Sequence, residues 1–200
     1  LNLDNTHTLS DIVSIDIVDN GIGFTEENKD SFDTYRSGFK MSKGGKGFGR
    51  FMYLKYFNNV SIESVFCEDG KYKQRSFTFG HADEIIENEQ IVDIESTPDL
   101  HTGTVLHLSS IKSFDLDKGL EVIARKLVER LLVFFVTGGT YTPKITIKEE
   151  DKSNSIVLND YIGENSDIQQ IGKEEKFTIK GRDNEWNFVV KIYKIYYSAI

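Results

Sequence analysis

Two glycine-bearing segments limit this chain more than any other feature: Asp19-Asn20-Gly21-Ile22-Gly23, and Gly44-Gly45-Lys46-Gly47-Phe48-Gly49-Arg50-Phe51. The first closes an apolar alternation in which Ile15, Ile17 and Asp19 share one face of a predicted strand. A carboxylate that continues a buried apolar row is costly unless it finds a partner. The second is a glycine run opening into an amphipathic helix, where backbone amides and the helix dipole suit a phosphate. An acid seeking a donor and a loop suited to an anion, a short span apart, point to a nucleotide.

The remaining composition narrows the setting. Two hundred residues hold one large domain, or one domain and part of a second. A hydrophobic content of 38%, with 14 Phe and 9 Tyr, is ample for a packed core. No apolar run reaches membrane-spanning length and no secretory signal is present, so no membrane partner is expected. Cys67 is the single cysteine, which excludes disulfides and cysteine-rich zinc sites within one chain and fits a reducing cytoplasm. A formal charge of −8 argues against a general nucleic-acid surface, though a local basic patch is compatible with it. The chain starts at Leu1, and we read it as a segment of a longer protein.

The order of elements follows from periodicity. A strand over 12–19 leads into the 20–23 turn. Residues 25–43 are polar and read as a mobile lid. Phe48, Phe51, Met52 and Tyr56 then fall at helical spacing. Strands over 60–66 and 72–79 flank Asp69-Gly70, a hairpin turn by composition. The acidic stretch 82–98 has no clear period, and Gly103 opens a further short strand. Leu120, Ile123, Ala124, Leu127, Leu131 and Phe135 mark a long helix that stops before Gly138-Gly139 and Pro143. Strands over 144–148 and 156–158 come next. The texture changes near Tyr161: 163–176 is polar, and strands over 177–180 and 186–197 flank an Asp183-Asn184 turn. This order predicts an α+β fold with helices on one face of a mixed, mostly antiparallel sheet.

Two common phosphate motifs fail. Lys46 is followed by Gly47 rather than a hydroxyl residue, and Lys40 stands where Walker A needs its first glycine. A dinucleotide fingerprint would need glycine at position 26, which is Glu26. His7, His81, His101 and His107 lack metal-ligand spacing, and Cys67 reads as a packed strand residue. Lys126, Glu129 and Arg130 read as the solvated face of the long helix.

What remains resembles the GHKL superfamily, which unites the gyrase B subunit, the heat-shock chaperone, sensor histidine kinases and the mismatch-repair protein MutL. Its Asp-x-Gly-x-Gly box matches Asp19, Gly21 and Gly23. Its Gly-x-x-Gly-x-Gly box matches Gly44, Gly47 and Gly49, and its Gly-Thr box matches Gly103-Thr104. The three occur in the family order over residues 10–150. The resemblance implies a Bergerat-type α/β sandwich over 1–160, with 161–200 beginning a second, transducer-like domain. It implies that Asp19 accepts the adenine amino group, that Thr104 supports that contact, and that Gly21 and Gly23 let the backbone pass close to the base. Gly44, Gly45, Lys46, Gly47, Phe48 and Gly49, with Lys40, would hold the phosphates, and Arg36, Lys43 and Arg50 add counter-charge nearby.

The family's N-box supplies the acid that activates water and an asparagine that holds Mg2+. No residue here matches it, so we expect it before Leu1, and the catalytic acid is unassigned. The spacing between the second and third boxes is similar to the chaperone, gyrase and MutL branch, and to its stand-alone bacterial relatives. The resemblance then implies Mg2+-dependent ATP binding and slow hydrolysis that close a lid and pair two copies. Nucleic acid enters only as a partner of parts outside this segment. A histidine kinase catalytic domain is the enzyme-class alternative, decided by whether a phosphoacceptor helix precedes it. A nucleotide-binding interaction module without turnover is the binding-class alternative, decided by whether the upstream acid exists.

Overall fold

The computed structural model describes residues 12–33, 51–80, 85–112, 119–136, 142–150, 154–164 and 166–196. It is an α+β fold whose described strand ladders are all antiparallel. The chain divides into two compact units, one within Asp11–Leu116 and one within Asp117–Ile200.

The N-terminal unit is built on a five-stranded sheet in the order β1-β5-β2-β3-β4. The strands are β1 (Ser14–Asp19), β2 (Phe57–Glu68), β3 (Lys71–Phe79), β4 (Ile86–Ile94) and β5 (Gly103–Ile111). β2 and β3 form the expected hairpin. Asp69 and Gly70 both take positive φ, 50° and 75°, the turn geometry that matches strand twist. β4 is the strand that periodicity did not reveal. It lies at the sheet's edge with most side chains exposed, so no apolar alternation is imposed on it. Its Glu87, Glu89 and Asp93 discourage further pairing, and the ladder to β3 is irregular between Ser76 and Thr78.

One face of this sheet is buried. Phe57, Val60 and Ile62 of β2, Phe77 and Phe79 of β3, and Leu106 and Leu108 of β5 form the core. Two short helices supply the cover, α1 (Glu26–Asp33) and α2 (Phe51–Tyr56). Phe32 of α1 and Phe24 just before it interlock with Phe77 and Phe79, with ring centroids 5.3–5.5 Å apart in three edge-on pairs. Tyr53, Leu54 and Tyr56 of α2 join the same core, and burial pushes the Tyr53 phenol above its ordinary value. Cys67 is exposed rather than packed, because it falls on the opposite phase of β2 from Phe66.

Residues 25–43 were expected to be a lid throughout. The first part is instead the helix α1. Thr25 begins it, its Oγ1 accepting from the Asn28 amide at 3.3 Å, and Glu26 and Glu27 sit at the positive end of the helix dipole. The apolar pair Phe24 and Phe32 fixes one face, which a count of its many polar residues hides. Residues 34–43 lie outside the described residues.

The C-terminal unit holds α3 (Leu120–Val136), the short pair β6 (Thr146–Lys148) and β7 (Ser155–Val157), a 3-10 turn over Leu158–Tyr161, and the hairpin β8 (Ile168–Lys180) with β9 (Glu185–Ile195). Ala124 and Val128 of α3 pack with Leu158 and Ile168. Residues from both sides of position 160 thus share one small core, whereas the texture change in the sequence lies near Tyr161. β8 starts earlier than the sequence pattern implies, since Ile168 to Ile171 pair with β9 before a bulge around Gly172, whose φ is +69°. Lys126, Glu129 and Arg130 are exposed on α3, as expected.

Candidate functional site: the polar row at the end of the first sheet

The core face of the five-stranded sheet carries a row of polar residues beside its apolar rows. Register places Asp19 of β1 opposite Thr104 of β5, Thr104 beside Ser64 of β2, and Ser64 beside Arg75 of β3. The next row in is Ile17, Leu106, Ile62 and Phe77, and the one after is Ile15 and Leu108 with Val60. Period-two geometry puts all of these on one face. The polar row therefore borders this hydrophobic layer, with buried Phe66 of β2 beyond it, and runs from exposed at Asp19 to buried at Arg75.

At the exposed end, Asp19 Oδ1 accepts from the Gly21 amide at 2.7 Å. This Asx turn gives the carboxylate the donor that the sequence argument required. The expectation that Asp19 is a buried acid is corrected: it is exposed, and Ile17 behind it is 49% exposed, because β1 is an edge strand. Thr104 is half-buried.

The glycines make close contacts within the protein. A Cβ on Gly23 would sit 2.3 Å from the Val65 carbonyl and 2.9 Å from Ser64 Oγ, and its φ is +79°. Gly23 thus lets the turn press closely onto β2. A Cβ on Gly103 would lie 2.3 Å from the Asp19 carbonyl, so this glycine lets β1 and β5 close up beside Asp19. At Gly21 a Cβ would lie 2.8 Å from Asp19 Oδ1, so this glycine makes room for the Asx turn itself.

The segment after the turn is held at nearly every polar atom. The Gly23 carbonyl accepts from Asn28 Nδ2 at 2.7 Å, and the Phe24 amide donates to Ser64 Oγ at 2.8 Å. Arg75 Nη1 donates to the carbonyls of Phe24 at 2.9 Å and Thr25 at 3.2 Å. Arg75 Nη2 pairs with Glu26, and Nε lies 3.1 Å from Glu89 Oε1. The guanidinium also stacks over Phe66, 5.1 Å from the ring centre. A fully buried arginine is tolerated only with such partners. Here it ties the start of α1 to β3 and β4.

Of the residues that the sequence singles out, Asp19, Gly21, Gly23 and Thr104 come together at this end of the sheet, joined by Gly103. Lys40, Gly44, Gly45, Lys46, Gly47, Phe48 and Gly49, like Arg36, Lys43 and Arg50, lie outside the described residues. Ser64 and Arg75 were not anticipated. Their signal is visible in retrospect: each stands on the phase of its strand that otherwise carries Val60, Ile62 and Phe66, or Phe77 and Phe79. A polar residue in a buried phase marks a built hydrogen-bond site.

Other polar groups carry less. His107 pairs with Asp16 on the exposed face of the sheet. No cluster of His, Cys, Asp or Glu among the described residues suits a metal ion. A shallow cavity lined by Arg125, Val128, Tyr161, Asp167, Ile168 and Tyr196 belongs to the C-terminal unit and holds none of the motif residues. There, burial raises the Tyr161 phenol above its usual range. Among the described residues no helix is long and apolar enough to cross a membrane. No protein-family model matches the chain, and no curated protein sequence matches it.

Proposed function

We propose that the N-terminal unit is an ATP-binding module of the Bergerat type, with Asp19 as acceptor for the adenine amino group and Thr104 beside it. The observation that carries this reading is the pairing of Asp19 with Thr104 across β1 and β5, next to a turn set by Gly21, Gly23 and Gly103. Residues far apart in sequence and matched to separate motifs thus meet at one sheet end. An antiparallel sheet with Phe32 and Tyr53 from two helices on one face supports the same fold. The acceptor chemistry fits adenine: one carboxylate oxygen serves Gly21 and the other is left for a donor on the ligand.

In this reading the 44–49 loop holds the triphosphate. Mg2+, if bound, would supply charge neutralisation at the phosphates, and the family places the asparagine that would hold it and the water-activating acid on a helix before β1. Slow hydrolysis of ATP to ADP and phosphate then releases a nucleotide-dependent homodimer, in a cytoplasmic setting.

Asp19→Asn tests the site cleanly. Asn Oδ1 still accepts from the Gly21 amide, so the turn is kept, while an amide –NH2 now faces the adenine amino group. We expect ATP affinity to fall by about 1.5–3 kcal/mol, the value of a hydrogen bond to a charged group. Calorimetric titration reads it, and unchanged affinity removes Asp19 from the site.

A further inference from the structure

Ser64 is 1% exposed, inside the sheet, and its hydroxyl has three neighbours. It receives the Phe24 amide proton at 2.8 Å, donates to the Gly103 carbonyl at 2.9 Å, and meets Thr104 Oγ1 at 3.1 Å. A hydroxyl carries one proton and two lone pairs. The Gly103 carbonyl has no proton to give, so the Ser64 proton lies in that bond. The Phe24 N–H occupies one lone pair of Ser64. The bond between the two hydroxyls is therefore donated by Thr104 into the remaining lone pair.

From this proton count we infer that Ser64 is a specificity-determining positioning residue: it takes up the Thr104 proton and leaves Thr104 presenting only lone pairs toward the ligand side. The Asp19 carboxylate directly across the β1–β5 ladder also has only acceptors to offer. The edge of the site formed by these two residues is thus an acceptor pair, selected from behind by a serine that never touches the ligand. It matches a ligand edge that carries donors, such as the exocyclic amino group of adenine. A guanine carbonyl in the same place sets lone pairs against lone pairs. The identity of the ligand rests on the ATP-binding reading above; the direction of the protons rests only on bonds within the protein.

Ser64→Ala removes the acceptor for Thr104, whose hydroxyl is then free to rotate and donate outward. Competition titrations of ATP and GTP on the full chain should show the ATP-to-GTP preference falling roughly tenfold, since a pairing site left without its partner loses about that much discrimination. Adding Thr104→Val to Ser64→Ala should restore part of the preference by removing the freed donor. An equal loss of affinity for both nucleotides in Ser64→Ala, with the ratio unchanged, overturns the proposal and leaves Ser64 as a structural residue.

Neutron diffraction from deuterium-exchanged crystals of the unaltered chain reads the relay with no variant and no nucleotide. Deuterium on Thr104 Oγ1 aimed at Ser64 supports it. Deuterium on Ser64 Oγ aimed at Thr104 overturns it. A chain that binds neither nucleotide yet shows the first pattern defeats the ATP reading alone and upholds the relay.

Discussion

β2 of the five-stranded sheet and the β8–β9 hairpin both alternate apolar with polar residues, yet only β2 has its apolar phase covered from Val60 to Phe66. In the sheet, the β2 phase of Val60, Ile62, Ser64 and Phe66 is buried throughout. In the hairpin, the phase of Trp186, Phe188, Val190 and Ile192 is exposed by 40–60%, with Phe177 stacked on Phe188 at 5.2 Å. Only its base, at Ile168, Tyr193 and Ile195, reaches a core. Alternation thus reports which residues share a face. Whether that face is covered depends on a second layer, which α1 and α2 provide for the sheet.

The sharpest way to break this contrast is a matched pair of truncations. Phe77→Ala opens a cavity among Phe24, Phe32 and Phe79 and should cost about 3–5 kcal/mol. Hydrogen exchange of the β2 and β3 amides, followed through a denaturant series, reads that loss. Equal protection before and after would mean that the sheet's core is not what holds it.

Arg75→Met comes next. It keeps much of the side-chain volume but leaves the Phe24 and Thr25 carbonyls without their donor and Glu26 and Glu89 without their cation. Glu26 and Glu89 are partly exposed and recover some hydration, so the expected cost is about 3 kcal/mol, at the lower end for a broken buried pair. The loss should appear first as faster exchange of the α1 amides. If α1 keeps its protection, the arginine is not what ties that helix to the sheet.

Phe188→Ala in the hairpin should cost only about 0.5–1 kcal/mol, the scale of one cross-strand pair on an exposed surface. A cost near that of Phe77→Ala, read by exchange at the β8 and β9 amides, would show that the hairpin face is covered in solution.

The smallest effect is a pH dependence. Burial raises the Tyr53 phenol above its ordinary 10.0, so the folded state holds that proton more tightly than the unfolded state. The stability linked to it is complete below about pH 10 and is lost as pH rises through the folded value. Tyr53→Phe should therefore flatten the decline in thermal midpoint above pH 10. An unchanged alkaline slope would mean that Tyr53 ionises as freely in the fold as outside it.

Much of this was legible in the residues. Asp69-Gly70 marked its hairpin, the apolar stripe of Leu120 to Phe135 marked α3, and Asp19 and Gly103-Thr104 marked the ends of the two strands that meet. β4 and α1 were not legible, for opposite reasons. β4 sits at an edge where no face is buried deeply enough to impose alternation, and α1 draws its place from Phe24, Phe32 and the Thr25 cap rather than from a full apolar stripe.

The sequence by itself determined most of local conformation and phase: positive φ falls at Gly23, Gly70, Gly172, Asp69 and Asn88, residue types that tolerate it, with Ser110 the exception, and each strand sorts its side chains onto two faces. Only the tertiary structure decided which strands lie side by side. That choice set Asp19 against Thr104 and Ser64 against Arg75, and turned the glycines at 23 and 103 into close-contact residues. The reason is physical. Propensity and capping act within a few residues, whereas pairing and burial are settled by contacts between segments that the chain order keeps far apart.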